Sequence, residues 1–69
     1  MKFNIYGRFQ LDVRRVGDEW EVYRLDYGKR VPMEEIVIPP TLPEDEIATY
    51  LDDIFHELAG FGQSIEVLV

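Results

Sequence analysis

The residue types best suited to chemistry lie close together in residues 52–57, which read DDIFHE. Asp53, His56 and Glu57 are spaced at i, i+3 and i+4, so a helix would place all three on one face. Carboxylate and imidazole groups bind divalent metals, but helical metal sites of this kind need matching ligands from other helices. The sequence predicts no second helix. We therefore assign no metal site and keep a metal-assisted activity around His56 as an alternative.

A nucleophilic mechanism would have to use the only serine, Ser64, and the only histidine, His56. The residues around Ser64 contain neither a nucleophile-elbow sequence nor a glycine loop that would bind an oxyanion. We assign no catalytic residue and no cofactor, and we expect a protein that is not an enzyme.

A second set of residues has the composition of a binding surface, because arginine, tyrosine and tryptophan are enriched in the hot spots of protein interfaces. The strand register derived below places these residues on the sheet face that a single helix leaves uncovered. The predicted interaction face consists of Tyr6, Arg8, Arg14, Trp20, Val22 and Arg24.

Two alternatives for this face stay open. Residues 28–40 would cover Trp20 and Val22 if they folded back over the sheet. The same arginine and aromatic side chains would also suit the stacking of single-stranded nucleic-acid bases. A net charge of −7 opposes that second alternative, since affinity for nucleic acid comes mainly from neutralising phosphates.

The charges divide the chain into two halves of opposite sign. All seven lysines and arginines lie in the first thirty residues beside five acids, whereas residues 31–69 contain nine acids and neither lysine nor arginine. Halves of opposite sign attract each other, either within one molecule or between two.

The segment 43–59 is predicted to be a helix, because its apolar residues recur at the helical period of 3.6 residues. This stripe consists of Ile47, Tyr50, Leu51, Ile54, Phe55 and Leu58. A helix with one apolar face must pack on another element, which here has to be a sheet.

Residues 3–13 alternate between apolar and polar side chains, a pattern that predicts one long strand with a bend at Gly7. A turn at residues 16–18 leads to a second strand over residues 19–27. A register that keeps Arg24 and Asp26 off the core face needs a loop of three or five residues, because a slip by one residue exchanges the faces. It pairs Val13 with Glu21, Leu11 with Tyr23, Phe9 with Leu25 and Gly7 with Tyr27.

The predicted fold class is α+β with the order ββ(β)αβ. One mostly antiparallel sheet of three to four strands carries a single amphipathic helix on one face. Residues 36–38 are the optional third strand, and residues 64–69 form the last strand with Ile65, Val67 and Val69 on one side. A right-handed crossover that returns the chain beside its first strand predicts the strand order 3-2-1-4, with the last strand parallel to the first.

Size and composition predict one domain over residues 1–69 with a core that is only just sufficient. The chain contains no cysteine, so no disulfide supplements this core. The first residues lack the long apolar run of a signal peptide or a membrane span. We expect a cytoplasmic protein that does not contact a membrane, and self-association would bury additional surface.

Four segments resemble a family of short, uncharacterised bacterial proteins that is described only as a domain of unknown function. They are FNIYGRF at the start, WEVYRLDYGKR in the hairpin, IVIPP before the helix and YLDDIFHELA within it. The resemblance covers nearly the whole chain and implies a bacterial, cytoplasmic, single-domain protein. It implies no site residues.

These observations together predict a small acidic protein-interaction module. Its partner is expected to be another protein or a second copy of the chain in a homodimer, in contact with the predicted interaction face. Binding of single-stranded nucleic acid on the same face is the less favoured alternative.

Overall fold

The computed structural model describes residues 1–60 and 62–68. This part of the chain contains the strands β1 (Lys2–Ile5), β2 (Phe9–Val16), β3 (Glu19–Asp26), β4 (Lys29–Pro32) and β5 (Ile65–Val67). They form one sheet with the order β4-β3-β2-β1-β5, in which every neighbouring pair is antiparallel. The α-helix α1 (Ile47–Phe55) lies between β4 and β5 and is flanked by the 3₁₀ turns Glu44–Glu46 and His56–Leu58. The predicted α+β class, with one helix and one antiparallel sheet, is confirmed.

The prediction of three to four strands in the order ββ(β)αβ is wrong, because residues 3–13 form a hairpin instead of one strand. Tyr6 and Gly7 both have positive φ, 55° and 73°. The Arg8 amide donates to the Ile5 carbonyl at 2.9 Å and closes this turn. Ile5 then pairs with Phe9 across the hairpin. The connection contains three residues, so odd-numbered residues stay on one face and the alternation continues unbroken through the turn.

The same turn sets the direction of the last strand. β5 lies beside β1, as predicted, with Ile65 opposite Ile5 and Val67 opposite Phe3. It runs antiparallel to β1 and not parallel, because the unforeseen reversal makes β1 run opposite to β2. The predicted contribution of Val69 to this strand lies outside the described residues.

The predicted register of β2 and β3 is also wrong. A two-residue Gly17–Asp18 loop joins the strands and places Leu11 opposite Arg24 and Val13 opposite Val22. Gly17 has a φ of 59° at the first central position, which suits a tight hairpin turn whose twist matches the strands.

The observed register places Arg24 on the core side of the sheet, and it is tolerated there because the guanidinium contacts an aromatic ring. Its guanidinium carbon lies 4.7 Å from the centroid of the Phe9 ring, so the charge sits on an aromatic face. In the observed register Val22 lies in the core, whereas the predicted register would have left it on the outer face. Tyr23 and Leu25, which the predicted register turned inward, lie instead on the opposite face, across from Asp12 and Gln10.

The segment between β4 and α1 covers one part of the sheet without joining it. Residues 36–38 do not form the predicted strand, but Ile36 and Ile38 are buried against the sheet and Val37 points outward. With them the core contains Phe3, Ile5, Leu11, Val13, Val22, Ile47 and Leu51. The alternative in which this segment folds back over Val22 is therefore the observed arrangement.

The apolar stripe of the helix is covered unevenly, and Phe55 in its second half packs against the core. Ile47 and Leu51 are fully buried, whereas Ile54 and Leu58 are 41% and 38% exposed. None of the described helices is long and apolar enough to cross a membrane.

Replacing Leu51 with alanine is expected to lower the free energy of unfolding by about 2–5 kcal/mol, because the cavity would lie in the closed part of the core. The matched change Ile54→Ala should cost about 1 kcal/mol, since that side chain is already partly hydrated. Urea unfolding followed by circular dichroism measures both values. Equal losses of unfolding free energy in the two variants would contradict the observation that Leu51 is buried and Ile54 is partly exposed.

The Tyr6 side chain links the first hairpin to the helix. It is buried, and its hydroxyl donates to the Asp52 carboxylate Oδ1. Burial raises the pKa of Tyr6 to about 12 from its ordinary value of 10.0, and the hydrogen bond and negative charge of Asp52 act in the same direction.

This shift makes stability depend on pH in the alkaline range. The folded state holds the Tyr6 proton more tightly than the unfolded state, so this contribution is complete below pH 10 and is lost as the pH rises towards 12. In an absorbance titration of tyrosinate, Tyr6→Phe should remove a late-titrating group. The variant should also lose less stability than the parent protein between those pH values. An unchanged late titration in Tyr6→Phe would show that another tyrosine is responsible.

Candidate functional site

The structure disperses the residues of the predicted interaction face. Tyr6 is buried in the first turn, and Val22 lies in the core. Trp20 points to the helix side of the sheet, where its indole Nε1 donates to the Leu42 carbonyl at 3.1 Å. The one-residue error in register explains the positions of Trp20 and Val22, since such a slip moves each side chain of a strand to the opposite face.

The three arginines of the predicted set also separate. Arg8 donates from Nε to the Leu58 carbonyl at 2.8 Å, and Arg24 stacks on Phe9 on the helix side. Arg14 alone lies on the sheet face away from α1. We call this surface the open face and define it by Asp12, Arg14, Glu21, Tyr23 and Arg30; no described helix or strand packs on it.

A buried carboxylate is the centre of the open face. Asp12 is only 3% exposed although it lies on the uncovered side of the sheet. Its Oδ2 accepts a hydrogen bond from Arg14 Nε at 3.1 Å and lies 3.8 Å from Arg30 Nε. The amino group of Met1 lies 3.8 Å from the other carboxylate oxygen. Three positive groups therefore enclose and shield one negative charge.

Tyr23 supports the second arginine. The Arg30 guanidinium lies 4.3 Å from the centroid of the Tyr23 ring, and the Tyr23 hydroxyl donates to Glu21 at 2.6 Å. That hydrogen bond is the main cause that raises the pKa of Tyr23, while the positive charges of Arg30 and Arg14 oppose the shift. Glu21, Tyr23 and Arg30 thus form a chain of contacts that leads to the Asp12 carboxylate.

The geometry presents two guanidinium groups side by side. Both Nε atoms lie near the same Asp12 oxygen, at 3.1 and 3.8 Å, so they are separated by less than about 7 Å. The side chains of Arg14 and Arg30 remain 54% and 41% exposed. Because their Nε atoms are directed at Asp12, the terminal N–H groups are left to donate to carboxylate or phosphate groups outside the molecule.

A groove of about 380 Å³ lies at the edge of the open face, where β4 ends. Its wall includes Tyr23, Pro32 and Met33, with Ile36 and Trp20 deeper on the helix side. Glu21 and Glu34 also line the groove, and Tyr23 connects it to the Arg30 guanidinium.

Asp12, Tyr23 and Arg30 were not among the predicted binding residues. The alternation of residues 3–13 assigned Asp12 correctly to the outer side, but the wrong register turned Tyr23 inward. Arg30 lies outside the strands that the sequence predicts, whereas in the structure it pairs with Leu25 in β4. The Gly17–Asp18 dipeptide was the available signal, because a glycine at the first position favours a two-residue loop.

The residues around His56 do not form a metal centre in the described part of the chain. There, no three histidine, cysteine, aspartate or glutamate side chains are grouped so as to hold a metal ion. The His56 ring instead has Nδ1 at 3.0 Å from the Asp53 backbone carbonyl. Asp53, His56 and Glu57 follow the i, i+3, i+4 spacing, but their side chains do not meet at one point.

No salt bridge joins the two oppositely charged halves within residues 1–60 and 62–68. Within the described residues, every salt bridge involves Asp12, and its other members come from the first thirty positions. Arg8 and Arg15 do reach the second half, but they donate to the carbonyls of Leu58 and Pro40. The charges of the two halves are therefore available to attract oppositely charged groups of other molecules.

Comparison with known families gives a match. The family model "Domain of unknown function (DUF7661)" matches residues 1–67. The chain belongs to this family. Membership confirms the resemblance to an uncharacterised family, and it brings no activity or site residue. No curated protein and no solved structure matches the chain.

Replacing Asp12 with asparagine is expected to reduce the free energy of unfolding by about 1.5–3 kcal/mol, because a buried acceptor of charged hydrogen bonds is lost. The control Arg14→Gln should cost less than about 1 kcal/mol, since that side chain is half exposed. Chemical denaturation gives both values. A loss in Asp12→Asn no larger than in the control would show that Asp12 does not organise the open face.

Proposed function

We propose that this protein is a small, non-enzymatic protein-interaction module, and that its open face binds an acidic segment of a partner protein. The observation that carries the proposal is the pair of half-exposed guanidinium groups of Arg14 and Arg30. Both are held in place by Asp12, and Arg30 is also held by Tyr23. Side chains fixed before binding lose less conformational entropy when a ligand arrives.

The fixed arrangement favours carboxylates that are spaced a few ångströms apart. The Nε atoms of the two guanidinium groups lie within about 7 Å of each other. This separation matches two acidic side chains on neighbouring turns of a helix, whose Cβ atoms lie about 5–6 Å apart. The groove beside Tyr23 would accept an apolar side chain from the same segment. An acidic segment that also carries an apolar residue thus fits both parts of the surface.

Protein is favoured over single-stranded nucleic acid as the partner. One face of the Tyr23 ring is already covered by Arg30, so it is not available for stacking on a base. The net charge of −7 repels a phosphate backbone over the rest of the molecule.

Binding of a Glu-rich peptide with one tryptophan tests this proposal. We expect saturable binding in titration calorimetry, and nuclear magnetic resonance shifts at the Arg14 and Arg30 Nε–H groups and the Tyr23 ring. The double variant Arg14→Gln/Arg30→Gln should weaken binding by about tenfold or more, as expected for the loss of charged contacts.

The matched control is Arg8→Gln/Lys29→Gln, which makes the same change in net charge away from the open face. It should leave the affinity nearly unchanged. Equal weakening in both double variants would mean that the peptide responds only to overall charge. Tighter binding of a single-stranded oligonucleotide than of the peptide would instead favour the nucleic-acid alternative.

We also infer that the module acts in the cytoplasm of a bacterium. The absence of cysteine agrees with a reducing compartment, and the resemblance of the sequence segments supports a bacterial source. Cell fractionation with an antibody against the protein tests the location.

A further inference from the structure

The second half of the helical apolar stripe emerges at one end of the molecule. Phe55, in the last turn of α1, packs edge-to-face on Phe9 with ring centroids 5.4 Å apart. The Leu58 carbonyl is bound by Arg8 in the first hairpin turn. The end of the helix therefore lies beside the tips of the hairpins, and there the stripe residues Ile54 and Leu58 become exposed.

Tyr27 projects from the neighbouring tip, which joins β3 to β4. β3 pairs with β2 up to Leu25 and Gln10, so the turn at Tyr27 lies beside the turn that precedes β2. The Tyr27 side chain is 97% exposed, and its φ is 48°, in the left-handed region that disfavours bulky residues. Asparagine or glycine would suit this turn better. The Tyr27 side chain does not stabilise the fold in a way that would offset its unfavourable backbone conformation. Tyr6 differs, because its side chain is buried and bonded to Asp52.

Charges of both signs surround these exposed apolar side chains. Arg24 stands over Phe9, its Nε is buried without a hydrogen-bond partner, and no salt bridge in the described residues includes it. Asp26 directly precedes Tyr27, and Glu57 directly precedes Leu58; both acids are exposed. We call this end of the molecule the hairpin corner, defined by Arg8, Arg24, Tyr27, Val31, Ile54 and Leu58, with Asp26 and Glu57 at its border.

A surface with both signs of charge is suited to meet a copy of itself. In a two-fold dimer each patch faces the identical patch, so its acids and bases can pair across the axis. On the open face the Asp12 carboxylate is buried and Glu21 is bonded to the Tyr23 hydroxyl, so a two-fold contact there would bring the exposed Arg14 and Arg30 guanidinium groups of both copies together. Aromatic and arginine residues within an exposed apolar patch are also the composition of interface hot spots.

We propose that the hairpin corner is the contact surface for a second copy of this chain, with Tyr27 as its central anchor. The contact covers Ile54 and Leu58, which the core leaves partly exposed, and it brings the acids at the border of one copy to the arginines of the other. It is separate from the open face, which remains accessible in the dimer.

The mass of the purified protein across a concentration series, measured by sedimentation equilibrium, tests the proposal. Ionic strength near the physiological value screens the net repulsion between copies over distances beyond about 8 Å. We expect a monomer–dimer equilibrium, and Tyr27→Asn should weaken dimerisation by at least about tenfold, as loss of a hot-spot aromatic does. Asparagine tolerates the left-handed turn, so this variant should fold at least as stably as the parent, which thermal unfolding checks.

The matched control is Val37→Thr, since Val37 is an exposed β-branched residue on the segment that covers the sheet, away from the corner. It should dimerise like the parent chain. A protein that stays monomeric at millimolar concentration would overturn the proposal. So would a dimer that Tyr27→Asn leaves unchanged, or one that Val37→Thr weakens equally. Peptide binding to the open face is measured independently, so failure of either proposal leaves the other interpretable.

Discussion

The chain reversal at Tyr6 and Gly7 is the constraint on which most of the architecture depends. Without it residues 3–13 would be one strand, and β5 would have no antiparallel neighbour. The left-handed conformation of Tyr6 costs about 1–2 kcal/mol for an L-residue. Burial of the ring and the hydrogen bond to Asp52 offset this cost and also tie the sheet to the helix. The turn therefore decides both the topology and the seating of α1.

A second turn decides which side chains face a partner. The two-residue Gly17–Asp18 loop shifts β3 by one residue from the predicted register. Val22 and Trp20 consequently lie under the segment that precedes the helix, while Tyr23 moves to the open face. There it joins Asp12 and Arg30, which are distant in sequence, in one network of contacts. A single step in register thus replaces Trp20 and Val22 of the expected surface with Glu21 and Tyr23.

The charge distribution connects the fold to both proposals. Arg8 and Arg15 bind backbone carbonyls, Arg14 and Arg30 face the buried Asp12, and the acids of the second half take part in none of the described salt bridges. Separated charges of this kind cost little in water and become favourable when a complementary surface approaches. The open face presents the exposed guanidinium groups of Arg14 and Arg30, since Asp12 is buried and Glu21 is bonded to Tyr23, and it suits a different partner. The hairpin corner, with both signs, suits a second copy.

Local sequence patterns by themselves determined the α+β class, the helix around Leu51 and the inward side of Phe3, Ile5, Leu11 and Val13. These follow from the periods of 3.6 and 2 residues, which depend only on near neighbours. The tertiary structure alone decided the fifth strand, the direction of the last strand and the residues that share the open face. A three-residue turn keeps the parity of an alternating strand, so the pattern could not reveal the reversal at Tyr6. A cation–π contact between Arg24 and Phe9 makes a charged residue acceptable on the core side, and only the folded chain brings that ring and that guanidinium together.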